Sequence, residues 1–346
     1  MFVAFLLALL DKVSRGLSMA AFLLGIIATL SLSVSYFWSL VMGAAPYQIL
    51  TAGFAPPLSI NLRLDLWTSF GLMMVQIMAL FNAIFMMERW KNEKVYFMVL
   101  FTTALLGVSG MIMTRDLFNL FVFMEISSIS LYGLLGLRRE IPALSASFKY
   151  IIAGGLASTL FLLGVAYIYR VTGSLSIDFL MGETPVYRTV AGTIALFLAV
   201  VGILIELKPF PANGWALDVY ESTDSGIAAF ISAGSATGML FALYKFLPFM
   251  DWRVKSIVIV TGLVTFFLSN LIGIRQTSVK RMLGYSSTAQ IGLITAVLVY
   301  ANHYGMDGMD TMLAVGGLFI GHLISKAGLF WMTGIVGREK IDEWGI

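Results

Sequence analysis

Residues 113–137 read MTRDLFNLFVFMEISSISLYGLLGL, an apolar segment in which the carboxylate of Glu125 lies near the middle. Residues 117–137 contain no other charge, and this length matches the roughly 20 residues that a membrane-crossing helix needs. A lone acid at that depth costs on the order of 3 kcal/mol, so it is retained where it faces a protein interior and has a partner. Glu125 is therefore either a structural contact between helices or a carboxylate that relays ions.

The composition agrees with a membrane protein. Of the 346 residues, 59% are hydrophobic and 12% are charged, whereas soluble domains carry about 25% charged residues. We predict an all-α polytopic membrane protein in which residues 1–346 form a single membrane domain. The basic residues lie between apolar segments, so the net charge of +3 gives no reason to expect a nucleic-acid partner.

The residue types argue against several kinds of site. Cysteine is absent, which excludes disulfides and thiolate metal sites. The two histidines, His303 and His322, are too few for a typical histidine-based metal centre. Neither a phosphate-binding GxxxxGK[ST] loop nor a dinucleotide fingerprint is present. We expect no cofactor, no metal and no catalytic chemistry in this chain.

Eleven apolar segments can be read along the chain, although the first is too short to span at about 1.5 Å per residue. Residues 53–65 contain Pro-Pro followed by an alternating run, which predicts an external turn with a short strand or hairpin. Residues 173–188 form the other long connection. The eleven segments are residues 1–10, 17–43, 66–87, 95–113, 116–137, 147–169, 189–207, 225–247, 255–274, 283–301 and 311–336.

The seventh segment is interrupted near residues 208–214. Pro209 and Pro211 cannot donate backbone hydrogen bonds, and Asn213-Gly214 is a turn sequence. At membrane depth, freed backbone groups are tolerated only inside protein or beside a wet cavity, and discontinuous helices mark ion sites in transporters. The alternative is a helix that ends at the surface and continues into a loop.

Polar residues recur in the later segments. Lys245 lies near the end of the eighth, where it could extend to the interface. His322 and Lys326 are four residues apart and share one helix face of the eleventh. Two titratable groups on one apolar helix suit a proton or cation path, because histidine changes charge near neutral pH. The alternative is a hydrogen-bonded core histidine beside a lysine that reaches the interface.

The basic residues also predict the orientation. With the N-terminus outside, most lysines and arginines, including Lys12, Arg15 and Arg138, fall on one side of the membrane. An excess of positive charge marks the cytoplasmic side. We therefore predict a multi-pass protein of the cell membrane with an external N-terminus and a cytoplasmic C-terminus.

Five sequence blocks, taken in order, resemble one protein family. They are DLFNLFVFMEISSISLYGLL, KYIIAGGLASTLFLLGVAYIYRVTGSL, the FPxxxWxxDxYE pattern at residues 210–221, VKRMLGYSSTAQIG and HLISKAGLFWMTG. The chain is similar to the antiporter-like membrane subunits of respiratory complex I. It is most similar to those of Mrp-type sodium/proton antiporters and of archaeal membrane-bound hydrogenase-like complexes. The resemblance covers nearly the whole chain.

The resemblance implies two inverted five-helix repeats and a row of buried charges along the membrane midplane. It divides the chain into N-terminal helices (1–94), a first repeat (95–250) and an incomplete second repeat (251–346), because the sequence stops before the family's twelfth helix. Glu125 matches the family's fifth-helix glutamate, and Lys149 matches a basic residue at the start of the sixth. The ion-relay residues that follow are Glu125, Lys149, Glu206, Lys208, Lys245, His322 and Lys326.

Several positions depart from the family's pattern. The seventh-helix lysine corresponds to Glu206, and the eighth-helix lysine corresponds to Thr237. Lys208 follows Glu206 by two residues, about 200° around a helix. Two neighbouring carboxylates, Glu125 and Glu206, cannot both ionise cheaply. We expect Lys208 to turn back and pair with one of them, the alternative being that it points away and the first half-channel is silent.

Three functional hypotheses remain. The first is an antiporter-like subunit of a larger oxidoreductase or antiporter complex, which carries or couples H⁺ or Na⁺ movement and contacts lipid and other membrane subunits, one of them over its C-terminal face. The second is a structural subunit whose channel has decayed. The third is an independent secondary transporter, against which the incomplete repeat argues.

Overall fold

The computed structural model describes residues 1–54, 59–182, 189–305 and 308–344. Two short segments are π-helical, Phe230–Ser235 and Met312–Gly316. The α-helices of the described residues are α1 (Phe2–Asp11), α2 (Arg15–Val41), α3 (Leu66–Asn92), α4 (Tyr96–Met113), α5 (Leu117–Gly136), α6 (Ile141–Thr172), α7 (Ile177–Leu180), α8 (Val190–Glu206), α9 (Gly214–Ser222), α10 (Ser225–Ala229), α11 (Ala236–Phe246), α12 (Trp252–Gly273), α13 (Val279–His303), α14 (Gly308–Thr311) and α15 (Gly317–Val336).

The all-α polytopic fold is confirmed, but the number of spans is not. Within the described residues, nine helical segments are long and apolar enough to cross a membrane, and α1 and α8 are shorter apolar helices. The ten residues of α1 extend about 15 Å, half the thickness of a hydrocarbon core. The sequence therefore located the apolar segments, whereas eleven full crossings are not confirmed.

A hairpin is present, although its first strand precedes the predicted residues 53–65. Strand β1 (Tyr47–Leu50) pairs antiparallel with β2 (Asn61–Leu64), and Tyr47 lies opposite Leu64. The Pro-Pro pair itself belongs to residues 55–58, which lie outside the described part of the chain. The Asp65 side chain then accepts a hydrogen bond from the backbone N–H of Thr68, which begins α3 with a capping box.

Glycine allows α6 and α8 to pack closely. A Cβ atom at Gly164 would lie 2.5 Å from the carbonyl oxygen of Ala195, and one at Gly202 would lie 2.5 Å from that of Ala157. Backbone atoms cannot move aside as a flexible side chain can, so both positions require glycine. Small residues let membrane helices approach in this way. The contact places the C-terminal end of α8 against α6.

The centre of the bundle is the segment that runs from α10 through the π-helical turn to α11. Nearly all of its residues are buried. It packs against α3, α4, α8 and α15. Helices on the two sides of the bundle therefore meet at this segment, and its polar groups are enclosed by protein.

Candidate functional site

The predicted helix break is confirmed. Helix α8 ends at Glu206 and α9 begins at Gly214. Lys208 has a φ of 61°, the left-handed conformation that non-glycine residues adopt at a cost of roughly 1–2 kcal/mol. The backbone N–H of Phe210 donates to Thr265 Oγ1 at 3.0 Å, which ties the break to α12. Pro211 is exposed, so one edge of the break lies at the protein surface.

The left-handed turn directs Lys208 into the protein. Its side chain is 1% exposed, and Nζ lies 5.9 Å from the ring centre of Trp215 and 6.0 Å from that of Tyr220. Aromatic faces attract cations at such distances. In the described part of the chain, no carboxylate oxygen lies within 4.0 Å of Lys208 Nζ. The predicted ion pair with Glu206 or Glu125 is therefore wrong, because the aromatic pocket of α9 receives the cation instead.

Glu206 is buried among tyrosines. Its side chain is 3% exposed and lies beside the Tyr150 hydroxyl. A Cβ atom at Gly154 would lie 2.9 Å from Glu206 Oε1 and would collide with the Tyr132 hydroxyl. Glu125 is partly buried and lies within electrostatic range of Glu206. The two acids therefore act on each other electrostatically, and Lys208 also lies within electrostatic range of Glu206.

His322 and Lys326 are both buried, as predicted, with exposures of 2% and 3%. His322 Nδ1 lies 3.1 Å from Gln290 Oε1, and Nε2 lies 3.0 Å from the Ser232 carbonyl oxygen. A protonated ring donates to both oxygens. A neutral ring donates from Nε2 and accepts at Nδ1 from the Gln290 amide once that amide rotates. The site therefore accommodates both charge states of the histidine.

Lys326 has a hydroxyl partner. Its Nζ donates to Ser286 Oγ at 2.7 Å, and α13 supplies this serine as well as Gln290. Among the described residues no carboxylate lies within 4.0 Å of Lys326, so the buried ammonium is solvated by a neutral hydroxyl.

Lys245 is buried inside the protein. Its side chain is 2% exposed and Nζ donates to the carbonyl oxygen of Met111, close to the C-terminal end of α4. Lys245 therefore does not extend out of the protein, as its place near the end of the segment would allow, but bonds to a carbonyl inside the bundle. A cation at a helix C-terminus satisfies a free carbonyl and offsets the helix dipole.

Lys149 belongs to a surface network of ion pairs. Its Nζ lies 2.5 Å from Asp218 Oδ2, and Arg281 lies 2.8 Å from both Asp218 and Glu221. Partial burial of Asp218 favours a higher pKa, but hydrogen bonds from Lys149 and Arg281 outweigh it and hold the pKa of Asp218 below its usual value. The network joins α6, α9 and α13 beside a cavity of about 430 Å³.

A second set of ion pairs surrounds Asp224, which precedes α10. Arg89 and Arg138 both pair with Asp224 Oδ1. Burial nevertheless raises the pKa of Asp224 above its usual value. These pairs bring the ends of α3 and α5 to the start of the central segment, and no pattern in the sequence indicates them.

Besides the ion pairs of Asp224, two features of the site were missed from the sequence. The π-helical turn that contains Ser232 has no local signature comparable to the prolines of the break. In the sequence, Tyr132 and Tyr150 cannot be distinguished from other aromatic residues of apolar segments.

In the described residues, no group of three or more histidines and carboxylates that could hold a metal is found.

The fold and the buried charges define a class: a multi-pass membrane protein with a polar interior built around a discontinuous helix. Residues 114–343 match the family described as NADH:quinone oxidoreductase/Mrp antiporter, TM, and the chain belongs to this family. The resemblance carried by the five sequence blocks is confirmed, and the protein is an antiporter-like membrane subunit.

Relatives and solved structures agree. NADH-quinone oxidoreductase subunit N of Desulforudis audaxviator is 33% identical, over 98% of this chain and 68% of its own length. A chain of the membrane-bound sulfane sulfur reductase, an archaeal respiratory membrane complex, is 30% identical with a TM-score of 0.90, over 97% of this chain and 69% of that one. A chain of the Mrp complex from Dietzia sp. has the same fold, with 24% identity, a TM-score of 0.87 and coverage of 98% and 64%.

The chain is shorter than its relatives. It covers 54% of NADH-quinone oxidoreductase subunit N 1 from Thermodesulfovibrio yellowstonii, with 29% identity over 73% of this chain. It covers 49% of subunit N from Sulfurovum sp., with 32% identity over 68% of this chain. This chain therefore spans about half the length of these two proteins.

Proposed function

We propose that this subunit carries or couples the movement of H⁺, Na⁺ or both through a buried relay of charged residues. The observation that supports it is the burial of Glu206, Lys208, His322 and Lys326, each with 3% exposure or less. The described residues provide none of them with an oppositely charged partner within 4.0 Å. Buried charges without such partners are costly, and inside membranes they mark ion pathways.

The contacts of these residues suit proton transfer. Glu206 lies beside tyrosine hydroxyls, Lys326 bonds to a serine hydroxyl, and His322 has partners for both charge states. Hydroxyl groups both donate and accept hydrogen bonds, so they can pass protons between titratable groups. Lys208 lies within electrostatic range of both Glu206 and His322, which connects the acid side with the histidine side.

The subunit would act inside a larger complex. The named relatives are subunits of NADH-quinone oxidoreductases and of a respiratory membrane complex, which supports an oxidoreductase or antiporter assembly as the setting. Apolar side chains on α15, including Ile324 and Ile335, are exposed by 64% and 69%. Lipid or a neighbouring subunit over this face would cover them. We also propose that the protein lies in the cell membrane, with its N-terminus outside and its C-terminus in the cytoplasm. We further propose that the chain is divided into N-terminal helices (1–94), a first repeat (95–250) and an incomplete second repeat (251–346).

A second candidate is a structural subunit with a decayed channel. It is favoured by Glu125, which has no ion-pair partner within 4.0 Å in the described part of the chain, and by Lys208, which sits in an aromatic pocket. In this case the buried charges would be remnants, and removing them would leave transport unchanged.

The two candidates are separated by ion flux measured in vesicles that contain the purified complex. Glu206→Gln and Lys326→Met roughly keep the size of each side chain and remove its charge. Relay function predicts loss of coupled flux with normal assembly. Glu88→Gln, at a side chain with 89% exposure, is the matched control and should have no effect. Normal flux in both relay variants would favour the structural candidate.

A further inference from the structure

Helix α5 carries a polar stripe that leads from Glu125 toward Glu206. Glu125, Ser128 and Tyr132 are spaced three and four residues apart, so they lie on one face of the helix. The hydroxyls of Ser128 and Tyr132 lie next to each other. Helix α5 also buries Ser127 and Ser130, but at about 100° per residue neither lies on this face.

The stripe ends at a notch in α6. Residue 154 is glycine, and a Cβ atom there would collide with the Tyr132 hydroxyl and lie 2.9 Å from Glu206 Oε1. The tyrosine and the carboxylate, from α5 and α8, therefore converge on the space that a side chain at this position would fill. The next residue, Gly155, has no atom within 4 Å of its Cβ position. The need for glycine is thus specific to position 154.

Packing fixes the orientation of Tyr132. Its ring meets Tyr150 edge to face, with ring centres 4.6 Å apart and an interplanar angle of 82°. Tyr150 is itself stacked on Trp215 of α9, with ring centres 4.4 Å apart. Ser147 also donates to the backbone carbonyl of Tyr132 at 3.1 Å. The hydroxyl is held at the notch by contacts that do not involve either acid.

We propose that the Tyr132 hydroxyl links Glu125 to Glu206 as a proton-relay group. A proton released on the Glu125 side reaches Tyr132 Oη through the Ser128 hydroxyl and water. The proton already on Oη moves to Glu206 through a water molecule, so Tyr132 is neutral before and after the transfer. The reverse sequence returns the proton. Tyr132 is a positioning and relay residue, and Gly154 provides its space.

The inference rests on the proposed relay function, and the experiment separates the two. Proton flux is measured with a pH-sensitive dye in vesicles containing the complex, using Tyr132→Phe and Gly154→Ala. Tyr132→Phe keeps the ring contact with Tyr150 and removes only the hydroxyl. Both variants should lower flux by about tenfold or more, because loss of a proton-transfer group typically costs at least that much.

Matched controls come from α6. Gly155→Ala adds a methyl group into open space, and Tyr169→Phe removes a hydroxyl from a ring with 52% exposure. Neither should change the flux. Infrared difference spectroscopy gives a second readout, since Tyr132→Phe should shift the carbonyl stretch of protonated Glu206, a band that Glu206→Gln assigns. A purely structural role would not move this band.

The outcomes separate the proposed Tyr132 link from the proposed relay function. Loss of flux in Glu206→Gln with normal flux and an unshifted band in Tyr132→Phe would overturn the link while leaving the relay intact. Normal flux in Glu206→Gln would also overturn the link, and normal flux in Lys326→Met as well would overturn the proposed function itself. If Gly154→Ala fails to assemble, Tyr132→Phe and the infrared band still decide.

Discussion

Nε2 of His322 lies 3.0 Å from the carbonyl oxygen of Ser232, which belongs to the π-helical turn Phe230–Ser235. A π-helical turn shifts the backbone hydrogen bonds of the helix and frees a carbonyl for another partner. The two residues are 90 positions apart in the chain. The bond therefore joins α15 to the central segment inside the bundle, and it fixes one nitrogen of the imidazole while the other faces Gln290.

The first prediction concerns Gln290. Gln290→Met removes the partner of His322 Nδ1 at nearly constant volume, so the ring loses the group that adapts to its two charge states. We expect reduced ion flux in vesicles and a loss of about 1 kcal/mol of stability, the typical value of one hydrogen bond. Gln276→Met, just beyond the end of α12, is the control. Unchanged flux in the Gln290 variant would argue against a relay through His322.

The second prediction concerns Lys208. Lys208→Met keeps an unbranched side chain between Trp215 and Tyr220 and removes a buried charge that lacks a carboxylate partner within 4.0 Å among the described residues. Replacing buried charges by apolar groups is often neutral or stabilising. We therefore expect an unchanged or higher melting temperature together with impaired flux. A variant with normal flux would show that the cation is dispensable.

The third prediction concerns Lys245, for which we expect the opposite result: lower stability with normal flux. Lys245→Met leaves the Met111 carbonyl without its partner, which costs about 1–3 kcal/mol for a buried group. We expect a lower melting temperature and a smaller yield of assembled complex. Flux per assembled complex should be normal if Lys245 caps α4. Loss of flux at normal stability would instead make Lys245 a relay residue.

The fourth prediction is a pH dependence set by Asp218. Because its folded pKa is below the usual value of 3.8, its ion pairs contribute stability that is fully present above that value. This contribution is lost as the pH falls through the folded pKa. Asp218→Asn should therefore lower stability by about 0.5–1 kcal/mol at pH near 7, a typical value for an exposed pair.

The measurement for Asp218 is the melting temperature of wild type and variant at neutral pH and at pH near 4 and below. The difference between the two proteins should shrink on acidification, because the wild type loses the pairs that the variant already lacks. Asp342→Asn, at an exposed position, is the control. A difference that stays constant across this range would show that the carboxylate charge of Asp218 does not stabilise the fold.

Local sequence patterns were sufficient for some parts of the site. Pro209 and Pro211 identified the break because a missing N–H interrupts a helix whatever surrounds it. The burial of His322 and Lys326 followed from their position on one face of an apolar helix. The hairpin before α3 followed from its turn residues and alternating pattern. In each case the physical cause lies within a few residues of its effect.

Other parts depended on contacts between distant segments. Lys245 bonds to a carbonyl 134 positions away, and His322 to one 90 positions away. Lys149 resembles a relay residue by its place in the sequence, yet Asp218 of α9 holds it at the surface with 53% exposure. No local pattern encodes these partners, because they are brought together only when the helices pack.

By itself, the sequence determined the class of the protein, the apolar segments, the helix break and the charges that must be buried, because the cost of placing charge in hydrocarbon is a property of each segment. The tertiary structure alone decided what each buried charge contacts. A left-handed φ at Lys208 turned its cation toward Trp215 and Tyr220 rather than toward an acid, and the glycine at position 154 let Tyr132 approach Glu206. Backbone dihedrals and interhelical packing set those distances, and they arise only in the assembled bundle.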